Sequence, residues 1–273
     1  MTRSHASAAA LARAIRADSL RMVTRSNASH IGGCLSMADL LSVLYFSVLR
    51  LDATHPLLPA RDRFILSKGH GAAILYAVLA ECDFFPLVWL DDYCSDGSVL
   101  MGHASHLVPG VEVSTGSLGH GLPIAVGMAL AAKRDGKDYR VFALLGDGEL
   151  DEGSNWEAML FAATHDLDQL VMIVDRNRLQ GFGESESVLR LEPLAEKFAS
   201  FGWAVVEIDG HDLAAIERAL SQVPAEPSRP TAVIAHTVKG KGVSFMENRM
   251  EWHYHSPNPE QLAEAFRELG VQL

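Results

Sequence analysis

Long apolar runs, paired cysteines and an excess of positive charge are all missing from this chain of 273 residues. No uninterrupted apolar stretch reaches about 18 residues, so no segment reads as a membrane span. Only three cysteines occur, Cys34, Cys82 and Cys94, with no paired spacing, which excludes a disulfide scaffold and a thiolate zinc site. A reducing, cytoplasmic setting follows as the expectation. The formal net charge of -11 leaves no clustered Lys and Arg for a phosphate backbone, so no nucleic-acid partner is expected. Any anionic ligand must be held by local features rather than by the overall field. No histidine pair shows the helical i, i+4 spacing with an adjacent general base that a zinc hydrolase needs.

What is present is enough for a sizeable core, at 48% hydrophobic residues. The N-terminal stretch "MTRSHASAAALARAIRADSLRM" is interrupted by Arg13, Arg16 and Asp18, and it reads as a first helix rather than a targeting peptide. In "SMADLLSVLYFSVL" the apolar residues Met37, Leu40, Leu41, Leu44, Tyr45 and Val48 recur at helical spacing. Ser36 and Asp39 stand there as an approximate capping box. Further on, "YRVFALLGDG", "QLVMIVDRN", "WAVVEIDG" and "TAVIAHT" are short β-branched runs that stop at Gly, Asp, Asn or Thr, as strands buried on both faces do. "SNWEAMLFAATH" and "HDLAAIERALSQV" separate them as helices, which predicts a three-layer α/β fold with a mainly parallel sheet. Residues 1–130 read as helices between Gly- and His-rich loops, with no strand alternation until about Val111. "PAEPSRP" at 224–230 reads as a surface turn.

The stretch "ALLGDGELDEGSNW" places three glycines and four carboxylates at the end of an apolar run. Gly146 and Gly148 would let backbone N–H groups approach a phosphate, and the helix starting near Ser154 points its positive end the same way. Four acids would repel a diphosphate unless a cation lay between them. Asp147 can supply one hard oxygen ligand. Asn177 lies thirty residues further on, past one helix and one strand, at the carboxyl end of what should be the neighbouring strand. Magnesium suits such a site, because it takes few protein ligands plus phosphate oxygens, with calcium or manganese as substitutes.

Gly-Asp-Gly followed by Glu152-Gly153 and Asn177 resembles the thiamine diphosphate motif of transketolase-like enzymes. "ASHIGGCLSMADLL", "LSKGHGAAILYAVL", "MGH", "VEVSTGSLGHGLPIAVGMALA" and "HTVKGKG" are similar to further transketolase segments, in the family's order, over roughly residues 10–255. The resemblance is to the N-terminal half of a full-length transketolase. It implies a single diphosphate-binding module over 1–273, with the pyrimidine-binding module on a separate chain.

Residue by residue, the resemblance implies Asp147, Asn177 and the Leu179 carbonyl as metal ligands. His70, Gly116 and Leu118 would line the cofactor, with Gly148 on its diphosphate and Asn177 beside it. Ser117, Gly146 and Glu149 belong to the same loops and join the cofactor-binding set, although Glu149 and Asp151 receive no individual role. Glu152 matches a glutamate at the contact between the two cofactor-binding modules. His30 and His103 match the histidines beside the reacting sugar hydroxyls, where a side chain titrating near working pH suits proton movement. Ile31, Lys68 and His120 depart from the commoner Pro, Asn and Gln. The late histidine of the family has three candidates here: Lys241, His253 and His255.

The expected activity is magnesium-dependent ketol transfer from a ketose to an aldose, by a transketolase N-terminal subunit inactive without its C-terminal partner. An α2β2 heterotetramer acting on sugar phosphates is the simplest assembly. The alternatives are another thiamine diphosphate carboligase, a 2-oxo-acid dehydrogenase α-type subunit, or a scaffold that kept the fold without catalysis. Met37 is expected in the core, and Trp156 and Met159 against the sheet or another subunit. His5, His55, His165 and His211 are expected at surface or capping positions.

Overall fold

A computed structural model describes residues 5–272, so the first residues of the expected N-terminal helix, 1–4, lie outside the described part. Helices α1 (Ala8–Ser26), α2 (Ile31–Ser36) and α3 (Ala38–Val43) open the chain, followed by strand β1 (Arg63–Leu66) and α4 (Ala72–Glu81). Then come α5 (Gly121–Arg134), β2 (Val141–Gly146), α6 (Gly153–Thr164) and β3 (Leu170–Arg176). A small hairpin, β4 (Leu179–Gln180) with β5 (Gly183–Glu184), leads to α7 (Ser185–Val188) and α8 (Leu194–Ser200). The chain closes with β6 (Ala204–Asp209), α9 (Leu213–Ser221), β7 (Thr231–His236) and α10 (Pro259–Leu269).

Five strands form one parallel sheet in the order β1-β2-β3-β7-β6. Alternate residues of each central strand enter different cores, because side chains of a strand point to opposite faces in turn. Phe142, Leu144, Val171 and Ile173 join α1, α3 and α4 in one core, while Val141, Ala143, Leu145 and Met172 join α5, α6 and α8 in the other. This is the three-layer architecture expected, and it explains why the central strands read as continuous apolar runs.

Three details differ from the sequence reading. A strand does occur before residue 111, at Arg63–Leu66, whereas Val111 lies in an irregular loop. Four residues between charged neighbours are too few to display a period, and the strand exists because it pairs with β2 along its whole length. The helix around Met37 is broken into α2 and α3, and Ser36 and Asp39 form no capping box. Ser36 Oγ instead donates to Asp175 at 2.6 Å, and Asp39 accepts from Arg16 Nη1 at 2.9 Å and Nη2 at 2.7 Å. A buried charge-assisted partner outcompetes a helix cap.

His211 is the third. Rather than lying at the surface, its Nδ1 sits 2.8 Å from Asp39 Oδ2 and its Nε2 accepts from Val238 N at 2.8 Å. Met37 is fully buried, as expected. Met159 is also buried, and Trp156 packs on Phe198 and Phe201 of the chain's own α8 region. The segment 224–230 lies at the surface between α9 and β7.

Candidate active site

The carboxyl ends of β2 and β3 are adjacent, with Gly146 opposite Asp175 in the register. Asp147 and Asn177, each just beyond its strand, therefore reach the same cavity, which has a volume of about 310 Å³. The turn after β1 brings Lys68 and His70 to it, and the loop before α5 brings Gly116 and Leu118. His30, His103 and His253 complete the opposite side. This is where ligands bind in open parallel sheets, beyond the strand ends where loops converge.

Asp147 is buried and each of its oxygens is oriented. Oδ1 accepts from Gly148 N at 2.8 Å; Oδ2 accepts from Arg178 N at 2.6 Å and from Arg176 Nη1 at 3.1 Å. Burial, with the Asp175 charge nearby, holds the Asp147 carboxyl above the usual carboxylate range. Asn177 is fixed from behind, its Nδ2 donating to Asp175 Oδ2 at 3.2 Å and its Oδ1 accepting from Leu179 N at 3.1 Å. Asp175 in turn collects Lys68 Nζ at 2.6 Å, Ser36 Oγ at 2.6 Å and the hydroxyl of Thr237. Burial alone would raise the Asp175 carboxyl, yet Lys68 and the hydroxyl donors outweigh it and hold it below the ordinary range.

Asp147, Asn177 and Leu179 line the cavity together, and their carboxylate, amide oxygen and carbonyl would make an all-oxygen donor set with only two side chains. Such a set fits a hard cation that completes its shell with phosphate oxygens. Among the described residues no cluster of three or more His, Cys, Asp or Glu side chains is arranged around a common metal position.

Positive charge sits opposite these acids. Lys239 Nζ lies 3.1 Å from the Leu179 carbonyl and 3.1 Å from His253 Nδ1. Burial, then the Lys68 charge, brings its ammonium down to about 8. Lys68 is already paired with Asp175, so Lys239 supplies the local positive charge for an anion that the net charge of the chain denies. The protein's own packing leaves little space for a side chain at two lining positions. A Cβ on Gly116 would stand 3.0 Å from the His103 ring, and one on Gly148 would stand 2.7 Å from Cβ of Gln180.

Four histidines face one another over the cavity. Ring centroids are 5.1 Å apart for His30 and His70, 5.0 Å for His30 and His253, and 6.0 Å for His30 and His103. His30 is held in the left-handed region at φ 73°, with its backbone N donating to the His253 carbonyl at 2.9 Å and Ser29 Oγ 2.9 Å from its Nδ1. An L-residue keeps that conformation only where its surroundings enforce it. Burial, then the His103 charge, brings His30 down to about 4. Burial, then Lys239, brings His253 down to about 3, and burial with Lys68 places His70 well below the ordinary value. All three are therefore neutral near pH 7 and able to accept or donate a hydrogen bond, and burial overturns the expectation that His30 titrates near working pH.

The structure decides among the late candidates. His253 lines the cavity, Lys241 lies outside it 3.5 Å from Glu247, and His255 borders a separate depression beside Trp252. Ser117 and Glu152 are exposed and not part of the lining. Glu149 is in the lining, and three protein donors already converge on its carboxylate. Reading the sequence missed Asp175, Lys239 and Arg176. The signals were there for two of them: Asp175 is two residues before Asn177, and Lys239 stands before a glycine past the last strand. Arg176 carried no signal, because its role depends on Asp147, Glu186 and Glu192 arriving from other loops.

A parallel α/β sheet with an oxygen donor pair, two buried cations and a histidine cluster at its strand ends defines a diphosphate-cofactor module. The profile of the transketolase thiamine diphosphate binding domain matches residues 7–272. The chain is 43% identical over 254 residues to an apulose-4-phosphate transketolase subunit of Phocaeicola vulgatus, covering 93% of this chain and 90% of that one. It is 39% identical over 259 residues to the 6-deoxy-6-sulfo-D-fructose transketolase subunit SqwG of a Clostridium species, covering 94% of each. Its fold superposes on Campylobacter jejuni transketolase with a TM-score of 0.89 at 32% identity, covering 97% of this chain but only 42% of that longer one. The chain belongs to the transketolase family and corresponds to its thiamine diphosphate binding domain.

Proposed function

We propose that the chain, as one diphosphate-binding module over 1–273, is the N-terminal subunit of a split transketolase and moves a two-carbon ketol unit from a ketose to an aldose. The observation that carries this is the meeting of Asp147 and Asn177 with a cluster of four histidines over one cavity. Asp147, Asn177 and the Leu179 carbonyl would hold magnesium, with calcium or manganese as substitutes. Gly148, His70, Gly116 and Leu118 would seat thiamine diphosphate, with Lys239 offsetting part of its charge. Bound there, the cofactor supplies an electron sink for breaking and making a C–C bond. His30 and His103 orient sugar hydroxyls and take or return their protons, and His253 is placed to share that task.

A partner is supported by exposed apolar side chains in two places. Phe182 lines the cavity and is 86% exposed, which is costly for an apolar ring unless something covers it. Ile124 on α5 and Leu160 and Phe161 on the neighbouring α6 are likewise exposed apolar side chains, and Glu152 is exposed at the start of α6. A pyrimidine-binding subunit over the cavity, in an α2β2 assembly, accounts for both. Relatives named for apulose 4-phosphate and 6-deoxy-6-sulfofructose support a specialised ketose donor, with sugar phosphates the first class to test. A cytoplasmic setting agrees with three unpaired thiols.

The test is calorimetry of the chain with its co-purified partner, titrated with thiamine diphosphate in magnesium, followed by an assay of transfer from xylulose 5-phosphate to ribose 5-phosphate. Binding and transfer are expected. No binding would sink the reading; binding with 2-oxo-acid decarboxylation and no transfer would favour the 2-oxo-acid dehydrogenase alternative.

A further inference from the structure

Glu149 is one of four acids in the Gly-Asp-Gly stretch, and neither the metal nor the partner accounts for it. Its side chain is buried, and each oxygen is engaged. Oε1 accepts from Ser67 Oγ at 2.5 Å and from Gly119 N at 3.0 Å, and Oε2 accepts from Gly146 N at 3.2 Å. These donors come from the turn after β1, the loop before α5 and the end of β2, three segments distant in sequence. The acid's own carbonyl accepts from Asn155 Nδ2 at 2.7 Å, so its backbone is anchored to α6.

Gly119 is gripped from its other side as well. Its carbonyl accepts from Ser154 Oγ at 2.7 Å, so the nitrogen of this residue donates to Glu149 while its oxygen is tied to α6. It sits at φ 80°, and a Cβ there would stand 2.5 Å from Ser154 Oγ and 2.6 Å from Cβ of Glu152. The loop can approach α6 this closely only as glycine. The cavity residues Gly116 and Leu118 belong to that same short loop, while Gly146 and Gly148 form the strand-end loop.

We infer that Glu149, aided by Ser154, is a positioning residue that sets the distance between the Gly146–Gly148 loop and the Gly116–Leu118 wall, and so governs seating of the whole cofactor through the loops its carboxylate ties together. The inference rests on the proposed thiamine diphosphate site. A diphosphate alone needs only the strand-end loop and the metal donors. The complete cofactor must also fit the wall, so it alone senses the spacing. Replacing Glu149 by Gln turns one acceptor into an N–H donor that must face Gly146 N–H, Gly119 N–H or the Ser67 hydroxyl, and at least one bond is lost.

The experiment compares wild type, Glu149→Gln and Ser154→Ala, as the full chain with its partner subunit. Calorimetry in magnesium is run with inorganic pyrophosphate and separately with thiamine diphosphate, with melting temperatures measured alongside. Glu149→Gln should weaken thiamine diphosphate binding roughly ten- to a hundredfold. Pyrophosphate binding should change by less than about threefold, and Ser154→Ala should show the same selectivity with a smaller loss. Equal weakening of both ligands, or unchanged thiamine diphosphate affinity, would overturn the inference. If Glu149→Gln does not fold, the ratio of the two affinities in Ser154→Ala decides. Failure of wild type to bind thiamine diphosphate would instead strike the proposed function itself, and the inference with it.

Discussion

Asp147, proposed as a metal ligand, is buried as a carboxyl that the fold itself does not favour in its ionised form. Burial and the neighbouring Asp175 raise its carboxyl in the folded chain, so at neutral pH the ionised group is less favourable folded than unfolded. A carboxyl raised in this way does not stabilise the metal-free protein above its folded pKa. Asp147→Ala relieves that buried charge but leaves Gly148 N and Arg178 N without their acceptor, while Arg176 stays bonded to Glu186 and Glu192, so the melting temperature of the ligand-free chain should change little. Magnesium-dependent affinity for thiamine diphosphate should fall by at least about tenfold, measured by calorimetry. Unchanged affinity would remove Asp147 from the site. The Gly-Asp-Gly-to-Asn177 pairing was legible in the sequence because each residue closes a strand. Asp175 was legible only by its place two residues before Asn177; its importance comes from Lys68, Ser36 and Thr237 converging on it from separate elements.

At the scale of elements, the loop carrying Lys239 is held by a relay that begins far from the cavity. Arg16 of α1 and His211 after β6 meet on Asp39 of α3, and His211 then accepts from Val238 N, next to Lys239. Asp39 lies below the ordinary carboxylate range: burial raises it, but His211 and Arg16 together outweigh that. Removing one partner of a buried ion pair leaves the other charge uncompensated. Asp39→Asn should destabilise the chain by about 3 kcal/mol, read from urea denaturation. It should also weaken cofactor binding, because Lys239 loses its support. A loss below about 1 kcal/mol would show that the relay contributes little. Reading the helix around Met37 as capped by Ser36 and Asp39 followed local propensity, and tertiary charge pairing overrode it.

For the whole molecule, the histidine cluster sets an acid limit. His30 and His253 titrate at about 4 and about 3 when folded, against an ordinary 6.5. Below pH 6.5 the unfolded chain takes up protons that the folded chain refuses, so stability falls with pH until the folded groups themselves protonate. Melting temperature should decline from pH 6.5 to about 4, and His30→Gln with His253→Gln should flatten that decline. An unaltered slope in the double variant would place the acid sensitivity elsewhere. The exposed apolar side chains of α5 and α6 make a second claim at this scale. Leu160→Glu should shift the complex to smaller species in analytical ultracentrifugation while leaving the melting temperature of the isolated chain within about a degree, since Leu160 is 54% exposed. An intact complex would mean that these side chains are not at an interface.

The sequence by itself determined the central strands, the glycine-rich strand end, the meeting of Asp147 with Asn177 and the family, because each depends on local composition and on spacing along the chain. Strand runs buried on both faces, and a polar residue at each strand end, leave a trace that needs no partner to be read. Only the tertiary structure decided what depends on several segments meeting. It placed His253 rather than Lys241 or His255 at the cavity, paired β1 at the sheet edge and drew His211 inward. It also turned Glu149 from an unassigned acid into a clasp between three loops. Burial is the physical reason: a charged or polar group takes its role from whichever donors surround it once water is gone, and that company is assembled by the fold.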